Sequence, residues 1–197
     1  IVNYRKRLKC FNDKIYGITL RSYNKDIPGW NKAKYFLNKN SNVKICYGKD
    51  DTGNIYNLDN ILFFKNHFDH DADLVTADGG FDFSFNFNNQ EVMSYRILFC
   101  EIVTALSIQK KGGNALITIP IFNDKLIYDI IYIFCKYYNN IELKTNFCKT
   151  MMTSSFLLFL SDFKGINDSE LDELLNMCIL INSKINNTGI NINFLDK

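Results

Sequence analysis

The residues best placed to do chemistry lie in Asp73-Leu-Val-Thr-Ala-Asp-Gly-Gly80, a short apolar and β-branched run that ends in an acid and two glycines. In an open α/β sheet, ligands gather just beyond the carboxyl ends of parallel strands. Asp78 is expected at such an edge, with Gly79 and Gly80 letting the backbone turn sharply and approach a substrate. There an acid can act as a catalytic carboxylate, contact a cofactor, or simply accept bonds from nearby N–H groups. A second polar cluster, Gly48-Lys-Asp-Asp-Thr-Gly-Asn54, offers Asp50, Asp51 and Asn54 directly after a short apolar run. By residue type alone it reads as an ordinary polar turn. His67-Phe-Asp-His-Asp71 brings two histidines and two carboxylates together, but no further ligand cluster accompanies it and no metal is assigned. No Ser-His-Asp order, Walker loop or zinc-finger spacing is visible.

The elements that must position these residues alternate between strand and helix. Strands are expected near 15–20, 43–47, 73–77, 114–119, 141–144 and 155–160, and helices over 58–68, 90–110, 124–138 and 169–184. Tyr95, Leu98, Phe99, Ile102, Ala105 and Leu106 follow helical spacing in the longest helix. Asn88 and Asn89 are its expected cap and Gly112-Gly113 its stop. Residues 21–42 read as irregular, with a turn at Pro28-Gly29 and with Trp30, Tyr35 and Phe36 as packing anchors. The alternation predicts an α/β fold, a mostly parallel sheet with helices on both faces. Phe81, Phe83, Phe85 and Phe87 alternate strictly. Such alternation favours one buried face of an extended segment over a platform for stacking bases.

A chain of 197 residues with 47% hydrophobic content can bury a substantial core in one domain. The net charge of +2 does not by itself advertise nucleic-acid binding. Basic residues cluster at Arg5, Lys6, Arg7 and Lys9, where a solvated helix end competes with a phosphate contact. Cysteines at 10, 46, 100, 135, 148 and 178 form no Cys-x-x-Cys pair, which predicts reduced thiols in an intracellular, soluble protein. No apolar run reaches the roughly 20 residues that span a bilayer. The chain opens on Ile1, which fits a processed product or a part of something larger.

Asp-Leu-Val-Thr-Ala-Asp-Gly-Gly-Phe-Asp-Phe-Ser, then Asn88-Asn-Gln-Glu91, then Gln109-Lys-Lys-Gly-Gly-Asn114 closely resembles the FtsJ-like RNA 2′-O-methyltransferases. The nearest branch is the cap-specific one of eukaryotes and large DNA viruses. The likeness runs from about Ile15 to about Asp162. It implies a Rossmann-like methyltransferase sheet whose last strand runs antiparallel, with S-adenosylmethionine as cofactor and capped mRNA as substrate. It further implies that the loop holding Asp50, Asp51 and Asn54 contacts adenosine, and that Lys144 and Lys149 stand where the family meets RNA phosphate. Solvated loop charges remain the competing reading of those two lysines.

The family activates the ribose 2′-hydroxyl with a Lys-Asp-Lys-Glu tetrad, in which neighbouring carboxylates orient a lysine and tune its pKa. Asp78 matches the aspartate. Thr118 stands where the second lysine belongs, and Ser154 where the glutamate belongs. In the family the first lysine and a glycine-rich cofactor turn lie before the second strand, and nothing before Lys14 reads as such a turn. The resemblance therefore implies a methyltransferase domain over 1–165 that is degenerate at its active site, with a helical extension over 166–197. The alternative is a catalytically inactive subunit with a structural or RNA-binding role in a capping or transcription assembly. Its place would be cytoplasmic, or virion-associated if the source is viral.

Overall fold

The computed structural model describes residues 1–21, 30–80, 90–120, 126–144 and 155–187. They fall into two compact units, Ile1–Phe63 and Phe64–Lys197.

The first unit carries helix α1 (Val2–Arg7), strand β1 (Ile15–Ile18), a 3-10 turn (Trp30–Ala33), α2 (Lys34–Lys39), β2 (Val43–Cys46) and the start of α3 (Leu58–Phe68). β1 and β2 pair in parallel, from Ile15 opposite Val43 to Ile18 opposite Cys46. Part of the stretch expected to be irregular is thus helical over 30–39. Two of the four basic residues at the start of the chain bond within the unit itself. Arg5 grips Asp13 through Nε and a terminal nitrogen at 2.5 and 2.7 Å, and Lys6 Nζ donates to Asn40 Oδ1 at 2.5 Å. These groups line a cleft of about 190 Å³ beside Ile15 and Asn42, at the amino ends of the strands. That is the opposite end from where parallel sheets take ligands.

The second unit is built on β3 (Ala72–Ala77), α4 (Gln90–Ile108), β4 (Gln109–Pro120), α5 (Leu126–Tyr137), β5 (Tyr138–Lys144), β6 (Ser155–Phe163) and α6 (Asp168–Asn187). The strand order is β3-β4-β6-β5. β3 is parallel to β4, and β6 is antiparallel to both β4 and β5. So β3, β4 and β5 run one way, and β6 alone, inserted between two of them, runs against them. This is the α/β, Rossmann-like arrangement with an antiparallel last strand.

Burial follows the period-two rule along β4: Ala115, Ile117 and Ile119 are buried, while Asn114, Leu116 and Thr118 are only half-buried. α4 packs on β3 and β4 and contributes Leu98, Phe99, Ile102, Val103 and Leu106 to the core. α6 packs on α4 with Leu171, Leu174, Leu175 and Cys178 buried, and Arg96 Nε donates across the pair to Asn182 Oδ1 at 2.7 Å.

One boundary needs correcting. Gly112-Gly113 does not stop the helix: α4 ends at Ile108, and both glycines lie inside β4. The register shows why. Ala72 faces Gln109 but Leu74 faces Asn114, so Lys110–Gly113 forms a bulge. Gly112 has φ +80°, and a Cβ on Gly113 would lie 3.1 Å from the carbonyl oxygens of Ala72 and Asp73. Fully buried Gln109 anchors the junction by accepting a bond from Tyr138 Oη. Pro120 closes the strand opposite Ser155.

Phe99 is completely buried between α4 and the core. Phe99→Ala is expected to destabilise the protein by about 3–5 kcal/mol through lost transfer energy and a residual cavity; urea unfolding measures it.

Candidate active site

β3 delivers Asp78 where the sequence places it, one residue beyond the strand and exposed. The last paired residues are Ala77 and Ile117, so the next position in register sets Asp78 beside Thr118. Thr118 faces Leu157, and Leu157 faces Lys144. Asp78, Thr118, Leu157 and Lys144 thus form one lateral row roughly 15 Å wide, at about 4.8 Å per strand. The row crosses the carboxyl edge of β3, β4 and β5. The sheet therefore brings Asp78 and Thr118 together and holds Lys144 two strands away. Lys144 Nζ is ion-paired with Glu142, two residues back on the same strand. Both are about half exposed, so this pair adds little to stability.

Thr118 carries no charge and cannot replace the orienting cation of an ammonium. Ser154, Lys149, the cap at Asn88 and Asn89, and the series Phe81, Phe83, Phe85 and Phe87 lie outside the described residues.

Sequence reasoning missed the residue that grips this strand end. Gly79 N–H donates to Glu101 Oε1 at 2.8 Å. A Cβ on Gly79 would stand 2.4 Å from that oxygen and 3.2 Å from Ile97 Cγ1, so only glycine lets α4 approach this closely. Burial pushes the Glu101 carboxyl up to about 7; the Gly79 hydrogen bond works against this, and the nearby charge of Asp78 adds to it. The available signal was a lone acid inside the otherwise uncharged run from Ile97 to Ile108.

In the first unit, the loop after β2 is locked around Asp50. Its carboxylate accepts bonds from Thr52 N at 2.9 Å, Thr52 Oγ1 at 2.7 Å, Asn60 Nδ2 at 2.8 Å and Asn57 Nδ2 at 2.7 Å. Desolvation works against the charged form, but these bonds outweigh it and hold Asp50 well below the usual carboxylate range. Fully buried Asn60 also donates to the Asn54 carbonyl at 3.0 Å and accepts from Asp50 N at 3.2 Å. Asp51 is paired with Arg21 at 2.6 Å, and that guanidinium lies over the Tyr47 ring. Asn54 Oδ1 accepts from Tyr56 N at 2.9 Å. The three expected adenosine contacts therefore differ: Asp50 and Asp51 hold the loop, while the Asn54 amide nitrogen makes no bond among the described residues. Asn60 carries the loop's shape and was not legible, because nothing local marks one helix-start asparagine among several.

At the histidine cluster, the His67 ring packs edge-on against Phe68, and Asp69 and His70 adopt positive φ. Among the described residues, no three metal-ligating side chains converge.

Two measurements check this geometry. Asp50→Ala removes the acceptor of four loop hydrogen bonds and is expected to cost about 2 kcal/mol, read by urea unfolding. Glu101 is raised from 4.5 to about 7, so between those pH values the folded state holds a proton that the unfolded chain has released. Stability then falls as pH rises through that window, by up to roughly 3 kcal/mol. Glu101→Gln keeps an acceptor for Gly79 and loses the titration. It is expected to match wild type near pH 4.5 and exceed it at pH 8.

A family model described as FtsJ-like methyltransferase matches residues 4–156. The Cap-specific mRNA (nucleoside-2′-O-)-methyltransferase 1 of Leishmania braziliensis is 29% identical over 152 residues, covering 76% of this chain and 37% of that protein. The protein of the same name from Trypanosoma cruzi is 45% identical over 69 residues, which is 34% of this chain and 19% of that one. A solved structure described as a ribosomal RNA methyltransferase from Plasmodium falciparum aligns at a TM-score of 0.48 and 15% identity, covering 84% of this chain and 95% of that one. The chain spans less than two-fifths of the length of these curated relatives. With the family model covering most of its length, the chain belongs to the FtsJ-like methyltransferase family.

Proposed function

We propose that this chain is a cap-type RNA 2′-O-methyltransferase domain that has lost its own catalytic competence. The observation that supports the reading is the register of β3 on β4, whose last pair, Ala77 with Ile117, stands one residue before Asp78 and Thr118. The family aspartate keeps its position, and the neighbouring site of the family lysine holds a neutral hydroxyl. The cap-specific names of the similar proteins support RNA, and capped mRNA in particular, as the ligand. The domain proper would run over 1–165, with 166–197 as its helical extension.

S-adenosylmethionine is the methyl donor of this reading, and the residues present fit it in part. Asn54 has an amide to offer an adenine edge. Asp50 and Asp51 are committed to the loop, and residues 1–14 contain no glycine from which a phosphate-type or cofactor turn could be made. When bound, the donor would supply an electrophilic methyl group. Asp78 would then orient the groups around the attacking 2′-hydroxyl, and Lys144 and Lys149 would meet RNA phosphate.

The Thr118 position also favours the second reading, an inactive member of a capping or transcription assembly with a structural or RNA-binding role. Among the described residues, no helix is long and apolar enough to cross a membrane.

The test is methyl transfer from labelled donor to capped RNA. The chain alone is expected to give no detectable product, because groups that act as a unit are rarely rescued by neighbours. Thr118→Lys combined with Ser154→Glu is expected to stay inactive while donor affinity, measured by calorimetry, remains weak or absent. Robust transfer by the unaltered chain, lost in Asp78→Ala, would overturn the reading.

A further inference from the structure

We propose that Glu101 is a positioning residue of the Asp78 site: from the body of α4 it holds the Gly79 amide and so fixes the strand end that carries Asp78. The proposal rests on the functional reading only in taking Asp78 as the site acid. The geometry itself is independent of that reading.

Three observations converge. The Gly79 N–H to Glu101 Oε1 bond is 2.8 Å long and links positions 22 residues apart. It is therefore a tertiary clamp and not a turn. The contact leaves no room for a side chain at Gly79, since a Cβ would meet the carboxyl at 2.4 Å and 2.9 Å and Ile97 at 3.2 Å. The glycine and the glutamate thus depend on each other. Finally, the acid that Glu101 feels is Asp78, whose charge acts on a carboxyl already disfavoured by burial. β4 and α6 also pack on α4, and among the described residues neither contributes a charge to Glu101.

Two carboxyls so placed resist being ionised together. Below neutrality Glu101 is protonated, the pair carries the single charge of Asp78, and the neutral acid's carbonyl oxygen still accepts the Gly79 bond. Above neutrality Glu101 ionises and its bond to Gly79 becomes charge-assisted and stronger. The strand end is then held more tightly while its like-charge repulsion with Asp78 grows. Protonation therefore trades the charge of the site against the hold on its strand end.

The test is the Gly79 amide of the full chain, followed by NMR through a pH titration. In the wild type its proton and nitrogen shifts are expected to move with a midpoint near 7. In Glu101→Gln that movement is expected to vanish while the amide stays hydrogen-bonded. In Asp78→Asn the midpoint is expected to fall, because the like charge is gone. In Glu101→Ala, Gly79 hydrogen exchange is expected to quicken tenfold or more while core amides of β4 keep their protection. A Gly79 shift that is flat in the wild type, or that titrates unchanged in Glu101→Gln, would overturn the proposal. The methyl-transfer and donor-binding assays bear on the proposed function alone, so each idea can fail without the other.

Discussion

The second unit depends on the register of β4. This strand is paired on both edges, in parallel with β3 and antiparallel with β6. A slip of one residue would carry Ala115, Ile117 and Ile119 off the buried face and put Asn114, Leu116 and Thr118 onto it. The bulge at Lys110–Gly113 opposes that slip. Gly113 sits so close to the Ala72 and Asp73 carbonyls that the glycines cannot be moved out of the bulge without a clash. Buried Gln109, held by Tyr138, fixes the strand's first residue from the other side. Asp78 and Thr118 are neighbours because of these restraints, and neither needs to contribute to them.

The two glycine-bearing loops solve the problem of placing polar groups at a strand end by opposite means. After β2, the Asp50 carboxylate is surrounded by donors and its charge is stabilised, which makes the loop a rigid but chemically quiet scaffold. After β3, the Glu101 carboxyl is buried with one backbone donor and a like charge nearby, which destabilises its ionised form. A group held by several donors serves structure. A group held against its solvation preference stores a response to pH, and such groups concentrate where chemistry is done.

Much of this was legible in the sequence for a simple reason: strong periodicity survives without tertiary information. The helix Leu58–Phe68, the strand end at Asp78 and the antiparallel course of β6 all followed from apolar spacing, a turn signal or the family likeness. The beginning of β4 did not. Gly-Gly after a helix ordinarily means a stop, and only the partner strand reveals that here it accommodates a bulge. Glu101 and Asn60 escaped for a related reason. Each acts across a distance in sequence, on a backbone group that carries no side-chain label.

Exchange at position 118 need not cost stability, and the strand alternation shows why. The core side of β4 is made by Ala115, Ile117 and Ile119, whereas Thr118 projects to the half-buried side. Replacing a lysine there by threonine removes a cation and a long stem but leaves the buried face unchanged. At such a position a threonine also suits a strand, since its branched Cβ packs well on a pleated surface. Asp78 differs because its backbone continues into Gly79, which α4 holds through Glu101. The strand-end segment is therefore held by packing whatever residue stands at position 118. On this physical account, position 118 tolerates exchange without disturbing the buried face, while the Asp78-Gly79 segment is held by its fit to the helix.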